Sequence, residues 1–237
     1  MNTQPTITQS QLPANIAHVR NTIAEAAQRV GRTPEEITLV AVSKTKPVEL
    51  VEIAYNLGVT DFGENRVQEA LPKIAAFHPD GLHWHLIGHL QSNKASKVVG
   101  PFDYVQSVDS LHIAQTLNQH AGEHGKRLRV LLQVNISGEE SKEGMTATQA
   151  PELARQILAL PHLEIQGLMT IAPLVQDPEE VRPVFRNLRL LRDQLRAELP
   201  QCSWQHLSMG MTDDYIVAIE EGATIVRIGR AIFGERV

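Results

Sequence analysis

The chain has 237 residues, 42% hydrophobic and 21% charged, with a formal net charge of -5 at pH 7. Such a chain can build one sizeable core, and its acidic balance gives no general argument for nucleic-acid binding. The single cysteine, Cys202, cannot close an intrachain disulfide, no stretch approaches the roughly 18 apolar residues of a membrane span, and the polar start MNTQPTITQSQLP lacks a secretory core.

A cytoplasmic protein with no membrane or nucleic-acid partner is therefore expected. Residues 1–13 read as a flexible arm and 14–237 as one domain. In ANIAHVRNTIAEAAQRV, residues Ile16, Val19, Ile23, Ala27 and Val30 fall near one helical face, and Gly31 can stop the helix. The turn TPEE precedes a first strand, LVAVS. Amphipathic PVELVEIAYNLG, strand VTDFGEN and helix RVQEALPKIAAF follow, with an irregularity expected at Pro72. HWHLIG is a strand leading to helical HLQSNKASKVV, and FDYVQSV leads to a helix from Ser110 to about His120. LRVLLQVNI, LEIQGLMTI, CSWQHLSM and ATIVRIG are further strands. Helices are expected over 147–160, 177–197 and 213–221, the second disturbed early by Pro183.

Eight strands at αβ spacing behind one extra helix predict a closed (β/α)8 barrel, with an open doubly wound sheet as the alternative. Neither a GxGxxG after the first strand nor a GxxxxGK[ST] supports the open form.

In such a barrel, functional groups gather where strands end. Alternation puts Val40, Val42 and Lys44 on one side of the first strand, so Lys44 points over an inner layer toward a pocket. Lys46 has the same nominal parity, but it lies past the ladder and beside Pro47. In DFGENRVQE, Gly63 permits close approach, Glu64 and Asn65 can hydrogen-bond near a polar ligand, and Asn65 can instead cap the next helix. His83, His85 and His89 raise a zinc site, but no tetrahedral set is completed, so no metal is expected and His85 reads as a pocket residue. HLSMGMTDDY brings Ser208, Gly210 and Thr212 before a helix, and VRIGRAIFG brings Arg227 and Gly229 to the end of the last strand. Hydroxyls, backbone N–H groups and a cation after strands seven and eight suit a phosphate. A lysine on the same rim suits a phosphorylated aldehyde, since a neutral amine forms a Schiff base, and Lys46 or Arg227 would favour the neutral amine of Lys44 by repulsion. Pyridoxal 5′-phosphate, another phosphorylated aldehyde and a sugar phosphate all satisfy this pattern.

AVSKTKP, FGENRVQE, HWHLIGHLQSNK, LLQVNISGEESKEG, IQGLMTI, HLSMGMTDDY and VRIGRAIFG, in this order from about Ile16 to Arg236, resemble the pyridoxal phosphate homeostasis proteins, relatives of the alanine racemase amino-terminal barrel. The resemblance implies a single TIM barrel of that type with pyridoxal phosphate (PLP) on Lys44 as a Schiff base. It carries ring or phosphate contacts onto Ser208, Gly210, Arg227 and Gly229, brings Asn65 and His85 to the pocket, and sets Met169 near the ring. Arg230 stands where the family often has a small hydroxyl residue. The sequence stops at Val237, soon after the eighth strand, so a racemase's second domain with its tyrosine base is not expected. The resemblance thus implies a monomeric, non-catalytic keeper of PLP that influences its intracellular balance, with PLP-dependent enzymes as recipients. The alternatives are a PLP-dependent racemase or lyase and a Schiff-base aldolase for a phosphorylated sugar.

Overall fold

The computed structural model describes residues 9–139 and 142–235. A 3-10 turn, Gln9–Gln11, leads into α1 (Leu12–Arg29). The helix thus starts before the expected Ala14, with Pro13 in its first turn, where the missing N–H has no helical partner to lose. Residues 1–8 of the expected arm lie outside the described residues. Ile16, Val19, Ile23 and Ala27 are buried as the periodicity predicts, whereas Val30 is 41% exposed. Val30 is the cap and Gly31 turns the chain away at φ 71.

Among the described residues nine strands follow: β1 (Thr38–Val42), β2 (Asp61–Glu64), β3 (His83–Leu86), β4 (Tyr104–Val108), β5 (Leu128–Asn135), β6 (Met145–Thr146), β7 (Leu163–Met169), β8 (His206–Ser208) and β9 (Ile225–Ile228). All pair in parallel, and eight close a barrel in the order β1-β2-β3-β4-β5-β7-β8-β9, with β9 back on β1. The two-residue β6 only extends the end of β5. Around the barrel lie α2 (Val48–Asn56), α3 (Val67–Ala76), α4 (Leu111–Glu123), α5 (Ala150–Leu158), α6 (Arg182–Glu198), α7 (Tyr215–Glu220) and α8 (Arg230–Phe233). This is the expected (β/α)8 barrel with an extra amino-terminal helix.

Local chemistry explains the departures. HLQSNKASKVV forms only a 3-10 stretch, Ser92–Lys97. CSWQHLSM shrinks to His206–Ser208, because Trp204 takes φ 45, is fully buried and donates its indole N–H to the Leu199 carbonyl at 2.8 Å. Pro183 sits in the first turn of α6, after a capped 3-10 turn at Pro178–Val181, while α3 runs through Pro72.

Most of the core lies between strands and helices. Outward-facing Phe62 and Trp84 meet there at 5.8 Å, and α6 adds Phe185, Leu188, Leu191 and Leu195. Each such side chain contributes about 1.5–3 kcal/mol by leaving water. Inside the barrel the apolar cluster is small: Val40, Leu131, Met169 and Ile225, with Ile171 against it. The rest of the interior is unusually polar.

Candidate functional site

A cavity of ≈ 500 Å³ opens at the carboxyl ends of the strands. Lys44 and Lys46 after β1, Asn65 after β2, Met211 and Thr212 after β8, and Arg227 and Gly229 at β9 line it. Val42 also faces the cavity while Val40 joins the inner cluster, so strand alternation carries Lys44 to the side expected of it. The chain then turns tightly: Lys46 N–H donates to the Ser43 carbonyl at 3.0 Å, and Thr45 takes φ 63. Lys46 reaches the rim, where its Nζ donates to the Glu235 carbonyl at 2.9 Å.

Ser43 is held from the other face of the sheet. Its N–H donates to the Gly63 carbonyl at 3.1 Å, and its hydroxyl donates to Glu64 Oε1 at 2.7 Å. Lys73, on α3, donates to the same Glu64 oxygen at 2.7 Å and to the Ser43 carbonyl at 2.8 Å. Glu64, expected beside a polar ligand, therefore lies behind the wall instead, fully buried against Ser43 and Lys73, and does not line the cavity.

Arg227 is the cation of the cavity floor. It is buried, and Nη1 donates to Ser208 Oγ at 2.7 Å while Nη2 donates to the Thr170 carbonyl at 2.8 Å. Among the described residues it makes no ion pair, and Asp214 acts on it only through space. Burial lowers its pKa to about 10, against the pull of Asp214, so the guanidinium keeps its charge near neutral pH.

From Arg227 a chain of side chains crosses the interior. Ser208 Oγ donates to Gln106 Oε1 at 2.6 Å, and Gln106 Nε2 meets His85 Nδ1 at 2.9 Å. The amide is fixed by Ser208, so its NH₂ donates to Nδ1 and the His85 proton sits on Nε2. That proton is given to Asp61 Oδ1 at 2.9 Å. His85 also stacks on Tyr104 with ring centres 4.5 Å apart. Every bond in the chain runs from donor Arg227 toward acceptor Asp61. Burial pushes the Asp61 pKa up, but the His85 hydrogen bond and charge outweigh it and hold the carboxyl below its usual range.

Of the residues singled out in the sequence, Lys44, Asn65, Arg227 and Gly229 meet at the cavity. Ser208 and His85 lie one and three links deeper in the interior chain, and Met169 belongs to the inner cluster. Gly210 serves the wall: its φ is 93, and a Cβ there would stand 2.6 Å from that of Ala218 on α7. Only glycine lets the β8 loop pass so closely. Arg230 pairs with Asp213 and Glu235 over the mouth. Sequence reasoning missed Gln106, Asp61 and Lys73. A lone amide inside the apolar strand YVQSV was a visible cue for Gln106; nothing local marked Lys73. No group of three or more His, Cys, Asp or Glu gathers to hold a metal among the described residues, and no helix among them is long and apolar enough to cross a membrane.

The model of the alanine racemase N-terminal domain matches residues 14–237. A pyridoxal phosphate homeostasis protein of Vibrio alginolyticus is 47% identical over 231 residues, 96% of this chain and 98% of that one. PipY of Synechococcus elongatus PCC7942, solved with PLP bound, superposes with a TM-score of 0.84 at 38% identity, covering 94% of this chain and all of that one. Alanine racemase of Clostridium difficile 630 shares the fold at 18% identity and a TM-score of 0.76, its matched part being 60% of that chain. The chain therefore belongs to the alanine racemase N-terminal domain family and, within it, to the pyridoxal phosphate homeostasis proteins.

Proposed function

We propose that this protein binds PLP in the cavity at the carboxyl end of the barrel, holds it through Lys44 and serves PLP homeostasis as a keeper rather than a catalyst. The observation that carries this reading is the pairing, in one cavity, of a strand-end lysine with a buried arginine that no carboxylate neutralises among the described residues. A buried unpaired cation seeks an anion or an electron-rich ring nitrogen, and a relative at 38% identity was solved with PLP. The residues fit that group. PLP, when bound, supplies an aldehyde that a neutral lysine amine captures reversibly, together with an anionic phosphate.

Lys44 provides the amine, and Asn65 orients the ring edge. Thr212 and the backbone at Gly229, both lining the cavity, would receive the phosphate. Arg227, clamped by Ser208 and Thr170, would meet the ring nitrogen as a fixed donor. A cation there opposes protonation of the nitrogen and weakens the electron sink that racemisation or elimination requires. We place the protein in the cytoplasm as a monomer whose open rim lets recipient enzymes draw on the cofactor.

Borohydride reduction followed by intact and peptide mass measurement tests this. The expected result is one PLP-sized adduct on Lys44, lost in Lys44→Ala with an unchanged unfolding transition. An unmodified wild-type protein, or undiminished adduct in Lys44→Ala, overturns it. A sugar-phosphate adduct in protein freed of PLP would favour the aldolase alternative instead.

A further inference from the structure

Two lysines line the same cavity, two positions apart and of equal nominal parity. A strand-end loop with two amines does not by itself choose between them. Ser43 is the residue that decides where the first one goes, because its side chain points to the outer face and the next residue must then point inward. All polar groups of Ser43 are engaged: N–H to Gly63, hydroxyl to Glu64, and carbonyl to both Lys73 Nζ and Lys46 N–H.

We propose that Glu64 and Lys73 form a buried clamp on Ser43 that makes Lys44, and not Lys46, the amine presented to the cavity. This deepens the PLP-binding reading and rests on it for the ligand. Glu64 is fully buried, and its second oxygen has no hydrogen-bond partner among the described residues. Its charge is met by Lys73, only 12% exposed, and by one hydroxyl. Such a pair is a poor source of stability compared with apolar residues of the same shape. What it does specify is geometry. One carboxylate oxygen accepts from both the Ser43 hydroxyl and the Lys73 ammonium, and that ammonium also holds the Ser43 carbonyl. The carbonyl in turn closes the turn to Lys46, whose middle residue Thr45 is left at a φ that a non-glycine residue rarely adopts. The clamp overrides that local preference from behind the barrel wall, through Ser43 alone. Glu64 and Lys73 are thus positioning residues, acting through Ser43.

Lys73→Met alone leaves a buried unpaired carboxylate and is expected to unfold the protein, so the test uses two milder changes. Ser43→Ala removes one hydroxyl, and the double variant E64Q/K73M removes both charges together. Acetic anhydride labelling of cofactor-free protein, read by peptide mass, gives the rate at Lys44 relative to Lys46; a thermal transition confirms that each variant is folded at the assay temperature. Both variants should shift that ratio by about threefold or more, and slow capture of added PLP by about tenfold. In the same variants, borohydride should trap part of the adduct on Lys46. Ser43→Thr, which keeps the hydroxyl, should restore the wild-type ratio. Global loosening would raise labelling at lysines throughout the chain, so a shift confined to Lys44 and Lys46, with the other lysines labelled as in the wild type, separates positioning from stability. An unchanged Lys44-to-Lys46 ratio in both folded variants overturns the clamp. A shifted ratio in a protein that never takes PLP on Lys44 keeps the clamp and rejects the cofactor reading.

Discussion

The barrel interior and the cavity mouth are both built from charged and polar groups, yet they are held in opposite ways. In the interior, Arg227, Ser208, Gln106, His85 and Asp61 form one directed chain away from water. At the mouth, Arg230, Asp213, Glu235 and Lys46 pair on the surface, where Arg230 and Asp213 are 45% and 52% exposed. Buried links cannot exchange a lost partner for water, whereas exposed ones can. The difference teaches where this fold tolerates change: the mouth is adjustable, and the floor beneath it is not.

Gln106→Leu should sharpen the contrast most. It keeps volume but leaves His85 Nδ1 without its donor and the Ser208 O–H without its acceptor, at a cost of about 2–4 kcal/mol by urea unfolding. A loss under about 0.5 kcal/mol would mean that the chain is dispensable.

Acid comes next. Burial first, then His85, lowers the pKa of His206 to about 4, and the neutral ring fits the Gln205 amide that meets its Nε2 at 3.0 Å. The unfolded chain binds this proton below about pH 6.5, and the folded one only near pH 4. Stability from this group is therefore complete above about pH 6.5 and is lost as pH falls toward 4, by about 2 kcal/mol once partial exposure is allowed for. Asp61 acts in a lower window: its depressed pKa adds stability that disappears only below about pH 4. Unfolding free energy measured against pH should flatten between these limits in His206→Asn; parallel curves for variant and wild type would assign the slope elsewhere.

The smallest effect belongs to the mouth. Arg230→Ser should change stability by less than about 1 kcal/mol, and by still less in about 1 M salt. A larger, salt-insensitive loss would show that the two ends of the barrel are not held differently after all.

The same contrast explains what the sequence made legible. Period-two alternation places Lys44 over Val40 and Val42, and strand-end position brings Asn65, Arg227 and Gly229 to the cavity. These are local consequences of backbone geometry, so they survive folding. His85 and Ser208 have the right parity but point into an interior already occupied, and the bond from Ser208 to Gln106 joins β8 to β4, strands that are not neighbours. Lys73 reaches Ser43 from a helix 30 positions away, a meeting that periodicity does not announce. Element limits shifted where one residue overrode the pattern, as Trp204 did in shortening strand β8.

The seam of the barrel has a consequence for how the protein is made. β1 closes on β9, and Asn15 of α1 donates to the Ile232 carbonyl of α8 at 3.0 Å, so the first and last elements complete each other. During synthesis the strand that carries Lys44 emerges early and waits for the strand that carries Arg227. Until that last strand pairs, Lys44 has no Arg227 beneath it. The cavity is therefore complete only once β9 has closed on β1, after every other strand of the barrel has been made.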